Sequence, residues 1–108
     1  MISIYDCEDA RGLLKSAIRD PDPVVFLENE MMYGVTFPCS PEVMDKDFLI
    51  PIGRAKIMRE GTDCTITAHA KMVGHSLEAA EILKRDHNIC CEVINLRTIR
   101  PLDRNAII

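Results

Sequence analysis

Two rhythms of apolar and polar residues run along the chain. Short apolar runs at residues 2–5, 24–27, 64–68 and 90–96 have the length and composition of strands. Between the first two, Ala10, Leu13, Leu14, Ala17 and Ile18 recur at i, i+3, i+4, i+7 and i+8, the spacing of one buried helix face. Glu8 and Asp9 stand at the start of that helix and Arg19 at its end, as the helix dipole prefers. Asp20-Pro21-Asp22-Pro23 stops it, because each proline disfavours helical backbone in the residue before it. Between the last two runs a helix is predicted over about 72–85, with Val73, Leu77, Ala80 and Leu83 on its inner face. Asp103 is placed to cap a final helix. Each half therefore reads as a strand–helix–strand unit with parallel strands, the signature of an α/β fold. Residues 28–53, with Pro38, Pro41 and Pro51, are too irregular for one element, and a domain boundary is placed near 50–53. Two strands per unit leave a wide apolar face open, so the chain is expected to be an excerpt of a longer protein.

Composition narrows the function. Of 108 residues, 47% are hydrophobic and 28% charged, which excludes a disordered chain. Residues 1–50 carry four basic and ten acidic side chains, and residues 51–108 nine and seven, for a net charge of −4. With no dense basic cluster, nucleic-acid binding is not expected. No apolar run approaches the roughly 18–20 residues of a membrane span. The five cysteines, 7, 39, 64, 90 and 91, follow no framework spacing, and a reducing compartment without structural disulfides is expected.

Glycine-rich phosphate loops and nucleophile elbows are missing from the sequence. His87, Cys90 and Cys91, completed by Cys64 or His69, contain zinc-ligand residue types but match no zinc spacing, and core cysteines with a surface histidine are the plainer reading. Glu28 and Glu30 follow a strand, where α/β ligands gather, yet no companion nucleophile or base is identifiable, and a solvated strand end is favoured. Lys71 and His75 are four apart at a helix start and could share a face, for an acid or phosphate group or only for water. Met31-Met32-Tyr33 suits either a pliable contact surface or a core plug. At residues 17–22 the last helix carbonyls and two aspartates concentrate oxygen at the negative end of a helix. That suits a weakly hydrated monovalent cation, although a metal-free proline turn explains the same residues.

Several runs together resemble a known family. They are residues 8–20 (EDARGLLKSAIRD), 23–30 (PVVFLENE), Met32-Tyr33-Gly34, 51–57 (PIGRAKI), 73–80 (VGHSLEAA) and 91–101 (CEVINLRTIRP). In one register they are similar to the beta subunits of pyruvate dehydrogenase. The resemblance implies the end of a pyrimidine-binding parallel-sheet domain over 1–50, joined to the start of a transketolase-type C-terminal α/β domain over 51–108. It implies decarboxylation of pyruvate on thiamine diphosphate and acetyl transfer to a lipoyl group of the second component. The expected partners are alpha subunits in a heterotetramer, which hold the diphosphate and magnesium, and a dihydrolipoyl acetyltransferase core. The family's cofactor-facing glutamate and active-site histidine belong to motifs not found in this sequence, so no catalytic or cofactor-binding residue is carried over. A structural potassium site does carry over, onto Ala17, Ile18, Asp20 and Asp22, with main-chain carbonyls supplying much of the coordination. The expected location is the mitochondrial matrix, or the cytoplasm in a bacterium. Related alternatives are the beta subunits of branched-chain 2-oxo acid or acetoin dehydrogenases. An alternative of another class is a non-catalytic assembly module that binds the core of the complex.

Overall fold

A computed structural model describes all 108 residues. Its first half is one strand–helix–strand unit: β1 (Ile2–Ser3), α1 (Cys7–Arg19) and β2 (Phe26–Leu27), with β1 and β2 parallel and Ile2 opposite Phe26. The two strands are shorter than the apolar runs predict. Asp6 caps α1, its carboxylate accepting the Asp9 N–H at 2.8 Å. Leu13 is fully buried and packs with Ile2 and Ile50, flanked by Ile4, Ala17, Val24, Phe26, Phe48 and Ile52. Leu14 and Ile18, assigned to the same face by periodicity, are 45% and 75% exposed. A two-stranded sheet is too narrow to cover a stripe that wide.

The irregular segment is pinned to α1. It holds one 3-10 turn (Glu30–Met32) and a four-residue helix, α2 (Pro41–Met44). The Arg11 guanidinium donates to the Met44 and Asp45 carbonyls at 3.2 and 3.4 Å, and Lys15 Nζ to the Lys46 carbonyl at 2.5 Å. Ser16 Oγ donates to the Ile50 carbonyl at 2.6 Å. Gly12 makes this approach possible: a Cβ there would lie 2.5 Å from Ile50 Cγ1 and 2.8 Å from Phe48 Cε1.

The second half corrects the two-stranded expectation. A third strand, β3 (Lys56–Arg59), joins β4 (Cys64–Ala68) and β5 (Cys91–Asn95) in the order β3-β5-β4. β4 and β5 are parallel and in register from Cys64↔Cys91 to Ala68↔Asn95, whereas β3 runs antiparallel to β5 with a bulge between Ile57 and Arg59. α3 (Lys71–His87) crosses from β4 to β5, ending on Asn88 in the left-handed region. Its Ala80 packs with Cys91 and Val93, flanked by Leu77, Leu83, Met58 and Ile66. Asp103 does not cap the last 3-10 turn (Arg104–Ala106) with its side chain. Its carboxylate instead accepts the Ala55 N–H at 3.0 Å, across the molecule. No helix is long and apolar enough to cross a membrane.

The two sheets meet along β1. On one side β1 pairs with β2. On the other, the Ser3 N–H donates to the Arg97 carbonyl at 2.8 Å, Ile2 bridges Thr98, and the Ile99 N–H reaches the Met1 carbonyl at 3.0 Å.

Candidate functional site

The parallel strands β1 and β2 both point their carboxyl ends into one cleft of about 280 Å³. The β1–α1 turn contributes Tyr5, Asp6 and Cys7, and the segment after β2 contributes Glu28, Asn29, Met32 and Tyr33. Phe37 closes the far wall, its ring edge-on to Tyr5 at 5.2 Å. The Tyr33 hydroxyl donates to Glu28 at 2.7 Å, and Asn29 accepts the Met31 N–H at 3.1 Å, which starts the 3-10 turn. Burial, then the neighbouring Asp9 charge, raises the Asp6 carboxyl above its ordinary pKa. Burial, then contact with Cys39, raises the Cys7 thiol. The cleft is therefore mostly apolar, with carboxylates and no basic side chain on its walls.

A polar cluster, buried at Asp9, Asn95 and Arg97, joins the halves of the chain. Asp9 is fully buried. Its carboxylate accepts from Arg97 Nε at 2.6 Å, Asn95 Nδ2 at 2.7 Å and the Tyr5 N–H at 3.2 Å. Glu8 accepts from Arg97 Nη2 at 2.7 Å and from Lys56 Nζ at 2.6 Å. Partial burial alone would raise the Glu8 pKa, but the hydrogen bonds from Lys56 and Arg97 outweigh it and hold the carboxyl below its ordinary value. Arg97 sits at φ +57° just past β5, which turns its guanidinium back towards α1. Sequence reasoning missed this cluster. The one available signal was an arginine at the end of an apolar strand, with two acidic residues far away in the first turn of a helix.

The other candidates are placed as follows. Glu28 lines the cleft, while Glu30 is exposed on the 3-10 turn and does not join it. Met31 is exposed, with Met32 and Tyr33 on the cleft wall. Lys71 and His75 do share a face, beside a shallow groove with Met31, Phe37 and Glu78. His69 Nδ1 meets Ser3 Oγ at 2.9 Å, at the opposite end of β4 from Cys64. Nowhere do three histidine, cysteine, aspartate or glutamate side chains converge on a metal position, so the zinc reading finds no geometry. At the end of α1 the Asp20 N–H donates to the Ala17 carbonyl at 3.3 Å, and the Asp22 N–H to Asp20 Oδ1 at 3.0 Å. Pro21 has no N–H and the Asp22 N–H is engaged, so the Ile18 carbonyl lacks both donors that would normally follow it.

Comparison with known proteins gives this arrangement relatives. Over 103 residues, 95% of the chain, it is 67% identical to the mitochondrial pyruvate dehydrogenase E1 component subunit beta-2 of Oryza sativa subsp. japonica. It is 64% identical over 108 residues to the E1 subunit beta of Drosophila melanogaster, and 61% over 107 residues to that of Rattus norvegicus. The resemblance stated from the residues thus holds along the whole chain, which spans 27–30% of the length of these relatives. A solved structure described as a split gene transketolase, inactive beta4 tetramer, superposes on 98% of the chain and 33% of its own, with a TM-score of 0.79 and 29% identity. Residues 53–108 match the family described as transketolase, C-terminal domain, and the three-stranded sheet with its crossing helix falls inside that match. The chain belongs to the transketolase C-terminal domain family.

Proposed function

We propose that this chain is part of the beta subunit of a pyruvate dehydrogenase. That subunit takes part in thiamine diphosphate-dependent oxidative decarboxylation of pyruvate and acetyl transfer to a lipoyl group. The observation that carries the reading is identity of 61–67% along 95–99% of the chain with beta subunits from plant, insect and mammal. Residues 1–50 would then be the end of the pyrimidine-binding domain. The partners would be alpha subunits in a heterotetramer and the dihydrolipoyl acetyltransferase core, in the mitochondrial matrix.

The cleft does not fit the charged end of that cofactor. The cleft presents Asp6 and Glu28 and no lysine or arginine, so a diphosphate would be repelled there, and no cluster of acidic or imidazole ligands fits magnesium. Both belong on the alpha subunit in this reading, and no chemical step is assigned to a side chain of this chain. The potassium site is a different case. Carbonyls of Ala17 and Ile18, with Asp20 and Asp22, would supply the oxygen donors; what supports this is their place at the negative end of α1 and the Ile18 carbonyl left without its usual donors, which suits a weakly hydrated cation.

The test is a chimera in which these 108 residues replace the matching stretch of a complete plant beta subunit, expressed with its alpha subunit. We expect a heterotetramer that turns over pyruvate. Its thermal midpoint should rise more in potassium chloride than in choline chloride, since an ion bound only by the native state stabilises it. A folded heterotetramer that uses only branched-chain 2-oxo acids would overturn the substrate. Equal midpoints in the two salts would overturn the potassium site alone.

A further inference from the structure

We infer that Cys64 and Cys91 form a site of reversible oxidative modification, an intrachain disulfide between neighbouring parallel strands closed by a hydroperoxide. The two residues are direct partners in the β4–β5 register. Neighbouring strands lie about 4.7–4.9 Å apart, inside the roughly 4.4–6.8 Å that a disulfide requires between Cα atoms. The backbone therefore already has the spacing, whatever the side chains do. The side chains agree: the Sγ atoms are 3.1 Å apart, so bond formation at about 2.05 Å needs a movement of about 1 Å. All five cysteines are free thiols.

The pair is asymmetric in a way that orders the chemistry. Cys64 is exposed and Cys91 is fully buried. Contact with Cys64, then burial, raises the Cys91 thiol above its ordinary pKa, and burial shields it while the exposed Cys64 meets the oxidant. The Cys64 thiolate attacks one peroxide oxygen. An S–O bond forms, the O–O bond breaks, and hydroxide leaves to take a proton from solvent. Cys91 Sγ then attacks the Cys64 sulfur. The S–S bond forms, the S–O bond breaks, and the oxygen departs as water with the Cys91 proton. Two thiols lose two electrons and one hydrogen peroxide becomes two waters.

Cys90, next in sequence, is held differently. Its N–H donates to Asp63 at 2.6 Å and its Sγ takes a hydrogen bond from Lys84 Nζ at 3.0 Å. It is the internal control, because Cys90 and Cys91 share the tryptic peptide 86–97, whereas Cys64 lies in peptide 60–71.

The experiment treats the full chain with hydrogen peroxide, alkylates remaining thiols after unfolding, and maps the digest by mass spectrometry. We expect free thiols to fall from five to three, peptides 60–71 and 86–97 to appear linked, and dithiothreitol to restore all five. The link should survive Cys90→Ser and vanish in Cys91→Ser, where Cys64 instead accumulates as a dimedone-trapped sulfenic acid. Circular dichroism of each variant shows that folding is retained, and the wild-type map stands without the variants. Over-oxidation of Cys64 with Cys91 still alkylatable would overturn the inference. So would a link that disappears with Cys90→Ser.

Discussion

Arg97 makes the two side-chain to side-chain contacts that span the greatest separation in sequence. It joins Asp9 and Glu8 across 88 and 89 positions of sequence, in a place where water reaches neither its Nε nor the Asp9 carboxylate freely. Removing one member of a buried charge pair leaves the other without compensation, at a cost of about 3–5 kcal/mol. Arg97→Met is therefore expected to take away a large share of the roughly 5–15 kcal/mol that stabilises an ordinary domain. Urea denaturation measures the loss. Pairing Arg97→Met with Asp9→Leu should recover part of it, because no unpaired buried charge then remains between them, while Asn95 Nδ2 loses its acceptor. Glu8 predicts a pH dependence. Its folded-state pKa is held below the ordinary carboxylate value, so its contribution is fully present above about pH 4.5 and is lost as pH falls through the lower folded value. A Glu8→Gln chain should show a flatter fall of melting temperature below that pH than the parent, while an unchanged acid limb would count against the cluster.

Among the elements, α1 shows how a local pattern and a tertiary contact divide the work. Its cap, acidic first turn and apolar spacing are local, and the helix forms where they place it. The close seating of residues 48–50 over Gly12 is tertiary. Gly12→Ala should favour the isolated helix by up to about 1 kcal/mol, yet force the buried Ile50 side chain aside at a cost of about 1–3 kcal/mol. The expected net result is a lower thermal midpoint, and a rise would mean that the 48–50 segment sits more loosely than the structure shows. β3 teaches the opposite lesson. Lys56-Ile57-Met58-Arg59 has no clean alternation, because Met58 packs inward, Ile57 is half exposed, and a bulge breaks the register. It is a strand because β5 offers an edge, and nothing within the four residues announces that edge.

For the whole molecule, the notable fact is how little is enclosed. Eighteen residues are buried, and only six of them belong to the two small apolar clusters. Leu14, Ile18, Met31, Tyr33 and Met72 are left in solvent. Exposed apolar surface of this kind promotes association. The chain is expected to self-associate at micromolar concentration, and Leu14→Lys with Ile18→Glu to reduce that association without altering the circular dichroism spectrum, as size-exclusion chromatography with light scattering would report. A strictly monomeric parent chain would contradict this.

What can be read from the residues alone is what depends on near neighbours in sequence. The two strand–helix–strand units, the stop at Pro21 and Pro23, the α3 helix and the β5 strand all follow from periodicity and backbone chemistry within about one element's length. The runs from Glu8 to Pro101 also carry the family likeness, because their order and spacing survive in the chain itself. Folding decides the rest, through groups that are distant in sequence and acquire a role only on meeting. Asp9 needs Arg97 before its burial is tolerable, Cys64 becomes a partner of Cys91 through a parallel register, Asp103 serves Ala55 rather than its own turn, and the cleft exists because two strands end on the same side. Burial, pairing and register are properties of three-dimensional neighbourhoods, and no pattern along one segment encodes which distant segment will complete it.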